Sequence, residues 1–186
     1  MYDYKKWEKK LDDKEKAVRP VNIKDMASTQ AAQQAIALTK KAKVEKVTQK
    51  EFLAIRDFLI ARLELENAQR PGPIEMVTIK HFSRAEDTGK DSYLVYATKH
   101  KRSRSGPAKL TMSTALYKSM KVYVEKVRPL FAKPKEEAVF ITEEGDAFKD
   151  GTLGRRVTSW WKDAKNVTYS ATDLRKMASS DRKSVV

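Results

Sequence analysis

The sequence predicts a mainly α-helical domain with one small antiparallel β-hairpin, an α+β fold. Three observations predict it. Apolar residues between Thr48 and Glu66 recur at helical spacing on more than one face. Around residues 93–98 the pattern changes to alternation, and it returns near residues 108–112. Further helical patterns follow from Ser113, from Asp150–Thr152 and from Ala171.

Residues 1–25 are polar and charged, with Pro20 as a breaker, and read as a frayed helix or a disordered lead. Residues 28–46 are rich in Ala, Gln and Lys. Ser28 or Thr29 can cap a helix there, and its thin apolar content requires a neighbour. These features divide the chain into a basic, helical or partly disordered N-terminal extension, 1–45, and a core, 46–186. Thr48 and Glu51 form the Thr-x-x-Glu capping-box pattern. Phe52, Leu53, Ile55, Phe58, Leu59, Ile60, Leu63 and Leu65 then make a helix apolar on more than one face, hence central and buried. It should end near 67–69, because Pro71 disfavours helical geometry at Arg70.

Tyr93, Val95 and Ala97 alternate with Leu94, Tyr96 and Thr98, a first strand. The basic tip Lys99-His100-Lys101-Arg102-Ser103-Arg104-Ser105-Gly106 follows, and Ala108–Met112 returns as the second strand. Leu116, Met120, Tyr123, Val124 and Val127 define a helix over 113–128, closed by Pro129. Ala138–Thr142 reads as a short buried strand or extended segment, ended by the Glu144-Gly145-Asp146 turn. Asp150 or Thr152 opens a third helix with Leu153, Val157, Trp160, Trp161 and Ala164 inward. A fourth begins around Ala171–Arg175 and runs to the end.

Lys and Arg number 39 of 186 residues, against 25 Asp and Glu, giving a net charge of +14. A protein this basic usually meets a polyanion, although a well-solvated surface also uses Lys freely. There is no cysteine, which excludes disulfides and Cys-based zinc sites. His81 and His100 are too few and too scattered for a metal cluster, so neither metal nor cofactor is expected. No apolar run approaches the ~18–20 residues of a membrane span, and the N-terminus has no apolar signal core. The expected location is nuclear or cytosolic, away from membranes.

Three basic positions stand out: Arg70 after the buried helix, Lys99 or Lys101 on the hairpin, and Arg175 with Lys176 opening the last helix. Each alone is an ordinary surface cation. Their order is informative: buried helix, Arg, hairpin with Lys, helix, extended segment, helix, Thr-Asp-Leu-Arg. It resembles the catalytic domain of tyrosine recombinases, the phage-integrase family of DNA breaking and rejoining enzymes. The wording looks closest to the recombinases of eukaryotic Crypton-type mobile elements, over about residues 45–181. Glu66-Asn67-Ala68-Gln69-Arg70-Pro71-Gly72 resembles their first-arginine segment. Lys99-His100-Lys101 with Gly106-Pro107-Ala108-Lys109-Leu110-Thr111-Met112 resembles their hairpin. Thr172-Asp173-Leu174-Arg175-Lys176-Met177-Ala178-Ser179 resembles their second-arginine box.

The resemblance implies double-stranded DNA as partner and leaves room for a homo-oligomer on it. It implies catalytic roles for Arg70, Lys99 and Arg175, with DNA contacts from Lys101, Arg102, Arg104, Lys109 and Lys176. Two guanidiniums can hold a phosphate bidentately and stabilise charge on its non-bridging oxygens. A hairpin lysine can protonate the leaving 5′ oxygen. A tyrosine would form the covalent link to the 3′ phosphate. Thr172 stands where the family usually has His, and a hydroxyl cannot serve as a cation or exchange protons near neutral pH. The acid that often follows three residues after the first arginine is Pro73 here, with Glu75 nearest. The sequence ends eleven residues after Arg175, short of the family's tyrosine, and Tyr169 precedes the box. The expectation is a truncated or degenerate core that binds DNA without cutting it. The competing expectation is a basic helical module for RNA or an acidic protein. Trp160 and Trp161 do not favour RNA, since their helical pattern points to a core.

Overall fold

The structure, a computed structural model, describes residues 23–67, 71–98 and 106–181. Arg70, Lys99, Lys101, Arg102 and Arg104 lie outside the described residues. The described elements are α1 (Ile23–Ala27), α2 (Gln30–Lys41), α3 (Gln49–Asn67), α4 (Pro71–Glu75), α5 (Ile79–Ser83), β1 (Glu86–Asp87), β2 (Ser92–Ala97), β3 (Ala108–Ser113), α6 (Thr114–Val122), α7 (Gly154–Lys165) and α8 (Ala171–Asp181). The expected class, mainly helical with a small antiparallel sheet, is the one observed.

The centre is α3. Its capping box forms: the Glu51 amide donates to Thr48 Oγ1 at 3.3 Å, and the Thr48 amide donates to Glu51 Oε2 at 2.8 Å. Phe52, Ile55, Phe58, Leu59, Ile60, Ala61 and Leu63 are all buried. A helix with apolar residues on more than one face must be wrapped, and α1, α2, α4, α6, α7, α8 and β3 all pack on it. Thr29 is the cap of α2, accepting from the Ala32 amide at 3.1 Å. Met26, Ala32, Ala35 and Ala42, all before residue 46, belong to the same hydrophobic core as α3.

The sheet has three strands in the order β1-β2-β3, all antiparallel. Tyr93 faces Met112 and Val95 faces Leu110, and Val95, Leu110 and Met112 are buried while Lys109 and Thr111 are exposed. Alternation is therefore the register signal it should be. The C-terminal end of α3 is clamped to β3. Asn67 donates through Nδ2 to the Thr111 carbonyl at 2.9 Å and accepts the Thr111 amide at 2.8 Å. Glu66 accepts both the Ser113 amide and hydroxyl at 2.8 Å.

Two expectations need correction. The helix over 113–128 is α-helical only to Val122; a wider π turn covers Tyr123–Val127 and a 3₁₀ turn covers Arg128–Leu130. Pro129 has no amide to donate and its ring crowds the carbonyl four residues back, so the preceding turn loosens. The third helix is capped by neither Asp150 nor Thr152. It begins at Gly154 after Leu153 without a side-chain cap, because the Thr152 hydroxyl donates to the Lys149 carbonyl at 2.6 Å.

The segment after residue 137 is extended but not part of the sheet. Val139, Phe140 and Ile141 are buried, with single bridges from Thr78 to Ala138 and from Ile141 to Ala147. Two buried arginines complete its hydrogen bonding. Arg128 Nε donates to the Ala138 carbonyl at 2.7 Å, and Arg56 Nη1 donates to the Ile141 carbonyl at 3.0 Å. Gly145 ends the segment with φ at +87°, and a Cβ there would lie 2.3 Å from the Phe131 carbonyl oxygen. Among the described residues, no helix is long and apolar enough to cross a membrane.

Candidate functional site

Arg175 is positioned by the first turn of α8. Ser170 caps that turn: its Oγ accepts the Asp173 amide at 3.2 Å, and Asp173 Oδ2 accepts the Ser170 amide at 2.8 Å and hydroxyl at 2.6 Å. Leu174 is buried and anchors the turn in the core. Helical geometry then puts Thr172 and Arg175, three residues apart, on one face. Arg175 donates through Nη2 to Thr172 Oγ1 at 2.9 Å. Thr172 thus orients the guanidinium, a task a hydroxyl can perform without exchanging a proton. Lys176 is exposed beside it.

The two residues line a cleft of about 390 Å³ together with Gly151, Gly154, Arg155, Thr158, Ser170 and Ala171. Arg155 is the functional candidate that reading the sequence missed. It sits in the first turn of α7, where the helix macrodipole disfavours a cation. That conflict was visible in the sequence and is the signal that could have found it. The cleft combines two guanidiniums, the hydroxyls of Thr158 and Thr172, and backbone at the start of α7. Such a donor set matches the oxygens of a phosphate.

A glutamate stands near this cleft on either side of Arg70 in the sequence. Before it, Glu64 of α3 is fully buried, and neither carboxylate oxygen has a hydrogen-bond partner among the described residues. Burial pushes its carboxyl up to about 8, with the positive charge of Arg175 opposing. After it, Glu75 of α4 accepts the Gly151 amide at 3.1 Å through Oε2, and Gly151 lines the cleft. Burial also raises the Glu75 carboxyl.

The base of the hairpin is anchored independently. His81 Nδ1 accepts the Thr78 amide at 3.2 Å, which leaves Nε2 carrying the proton and donating to Thr98 Oγ1 at 2.9 Å. Thr98 immediately precedes Lys99. Lys109 of β3 is exposed and holds its Nζ 6.0 Å from the centre of the Tyr96 ring.

Tyr169 is a packing residue. It is 8% exposed, its ring meets Trp161 edge-on at 5.3 Å, and burial raises its hydroxyl pKa, the reverse of an activated nucleophile. Trp160 and Trp161 are buried as their pattern predicts. Among the described residues, no group of three or more His, Asp or Glu side chains is placed to hold a metal ion.

No protein-family model and no curated protein sequence matches the chain. Solved structures do match it in fold. One is the XerH site-specific recombinase bound to difH substrate in a pre-cleavage complex, with a TM-score of 0.57 and 12% identity, covering 89% of this chain and 43% of that one. Another is XerH bound to palindromic difH in a post-cleavage complex, with a TM-score of 0.53 and 12% identity, covering 90% of this chain and 47% of that one. The chain spans less than half the length of these recombinase chains. Its fold resembles that of a tyrosine-recombinase domain.

Proposed function

We propose that the chain is the DNA-binding core of a recombinase-like protein of the Crypton type, and that it grips duplex DNA through the phosphate backbone. The observation that carries this reading is the cleft shared by Arg155 and Arg175 at the start of α8, in a fold of this kind. Arg175, held by Thr172, takes a non-bridging oxygen. Arg70 supplies a further guanidinium; the glutamates on either side of it in the sequence, Glu64 under the charge of Arg175 and Glu75 bonded to Gly151, support that role. Lys99 or Lys101 reaches the same phosphate from the hairpin, whose base His81 anchors. Lys101, Arg102, Arg104, Lys109 and Lys176 extend the grip along the backbone.

Phosphate contacts position a protein without reading sequence, and their strength falls with salt as counterions are released. The test is fluorescence anisotropy of a labelled short duplex across a salt series. Binding should weaken steeply with salt. Replacing Lys101, Arg102 and Arg104 together with Ala should flatten the log–log slope by about 0.9 for each phosphate that is no longer neutralised. Arg155→Ala and Arg175→Ala should each weaken binding. Salt-insensitive binding would overturn the reading. So would duplex binding weaker than binding to RNA or an acidic protein under the same conditions.

A further inference from the structure

We propose that Glu64 is the positioning residue for Arg175, an internal carboxyl that competes with DNA phosphate for the same guanidinium. The inference rests on the DNA-binding reading above and adds a residue that no motif singles out.

Glu64 lies between Leu63 and Leu65 on the central helix, and it is fully buried. Buried polar atoms are nearly always hydrogen-bonded, yet both of its carboxylate oxygens lack a partner among the described residues. An apolar side chain would fill the place at less cost, so the packing alone does not account for a carboxyl. The charge that acts on it is Arg175 on α8, which packs directly against α3. Arg175 is the one charged group with a resolved effect on Glu64 among the described residues, and several other charged groups on the surrounding elements are engaged elsewhere. Lys41 of α2 pairs with Glu51, Arg156 of α7 lies 3.8 Å from Asp57, and Lys121 of α6 lies 3.9 Å from Glu125. Glu75 of α4 holds Gly151, Asp173 of α8 holds Ser170, and Lys109 of β3 lies by Tyr96.

A guanidinium has five N–H donors and serves one strong anion at a time with its full fork. With Glu64 protonated, Arg175 keeps its bond to Thr172 and faces a ligand in the cleft. With Glu64 ionised, the carboxylate draws the guanidinium inward. Because burial raises the carboxyl to about 8, the two arrangements exchange around that pH. Linkage makes the effect reciprocal: phosphate at Arg175 must favour the protonated Glu64, and ionised Glu64 must weaken phosphate binding.

The experiment measures duplex affinity at fixed salt from pH 6.5 to 9.5 for the wild-type chain, Glu64→Gln, Arg175→Ala and the double variant. Wild-type affinity should fall about tenfold more than that of Glu64→Gln across the range, one decade for each unit by which DNA shifts the carboxyl. The excess should vanish when Arg175 is Ala. Parallel pH profiles for wild type and Glu64→Gln, with both binding duplex, overturn this inference and leave the DNA-binding reading intact. Absence of salt-dependent duplex binding in the wild type overturns the reading and the inference with it. A second measurement needs no variant: the carbon-13 shift of the Glu64 carboxyl, titrated with and without duplex. Its midpoint should rise when DNA is bound; an unchanged midpoint overturns the proposal.

Discussion

Glu64→Gln should make the protein more stable, by an amount that grows with pH. The folded carboxyl sits near 8, against an ordinary 4.5, because burial penalises its charged form. For a carboxyl raised on folding, the unfolded chain ionises first. Its contribution is therefore fully present below about 4.5 and is lost as pH rises toward 8. Each pH unit in that window is worth about 1.4 kcal/mol. Between pH 4.5 and pH 7 the wild type should thus lose about 3 kcal/mol that the non-ionising glutamine does not. The buried amide carries its own penalty, but that penalty does not change with pH. Asp57 and Glu75, also raised by burial, titrate in both proteins and cancel in the difference. Urea denaturation of the pair at pH 4.5, 6, 7 and 8.5 measures it. The stability difference should open steadily and level off above pH 8. A constant difference would refute the burial argument, and a closing one would mean that the folded carboxylate is stabilised rather than penalised.

Other outcomes follow from particular interactions. Leu59→Ala, at a fully buried position of α3, should cost about 2–5 kcal/mol in denaturant titration; a loss under about 1 kcal/mol would place the helix at the surface. Arg128→Met removes the charged donor from the Ala138 and Glu136 carbonyls, each met at 2.7 Å, and should cost about 1.5–3 kcal/mol per bond. Gly145→Ala forces a Cβ against the Phe131 carbonyl at positive φ and should lower the melting temperature more than Gly89→Ala, which meets nothing within 4 Å. His81→Phe removes the tie to Thr98, so amides at the open end of β2 should exchange faster while those of α3 keep their protection.

The parts of the fold that were legible in the sequence are those where a period runs long enough to be counted. The helix with apolar residues on more than one face needed a central position, and its Thr48–Glu51 cap forms as the pattern requires. The alternation from Tyr93 fixed the hairpin register because one face had to be buried. The short helices α4 and α5 carry too few residues for a period, and the two-residue β1 has no pattern at all. The extended stretch at 138–141 was readable as buried. Its stabilisation by Arg56 and Arg128 was not, because a buried arginine looks in sequence like any solvated one.

The same asymmetry governs the site. The Thr172–Arg175 box could be read because its wording resembles a family motif, and the structure joins the two side chains, three residues apart on one helical face, by a hydrogen bond. What made the box part of a cleft came from elsewhere in the chain. Arg155 is offered by a helix whose first turn carries a cation against its own dipole, and Glu64 is a carboxyl buried in α3 between two leucines. Each is locally disfavoured, and the point they share is Arg175. Glu64 feels its charge from the core side, and Arg155 shares its cleft from the open side. Local conflict in the sequence was therefore the better guide to the unforeseen half of the site, and family resemblance was the guide to the half that could be foreseen.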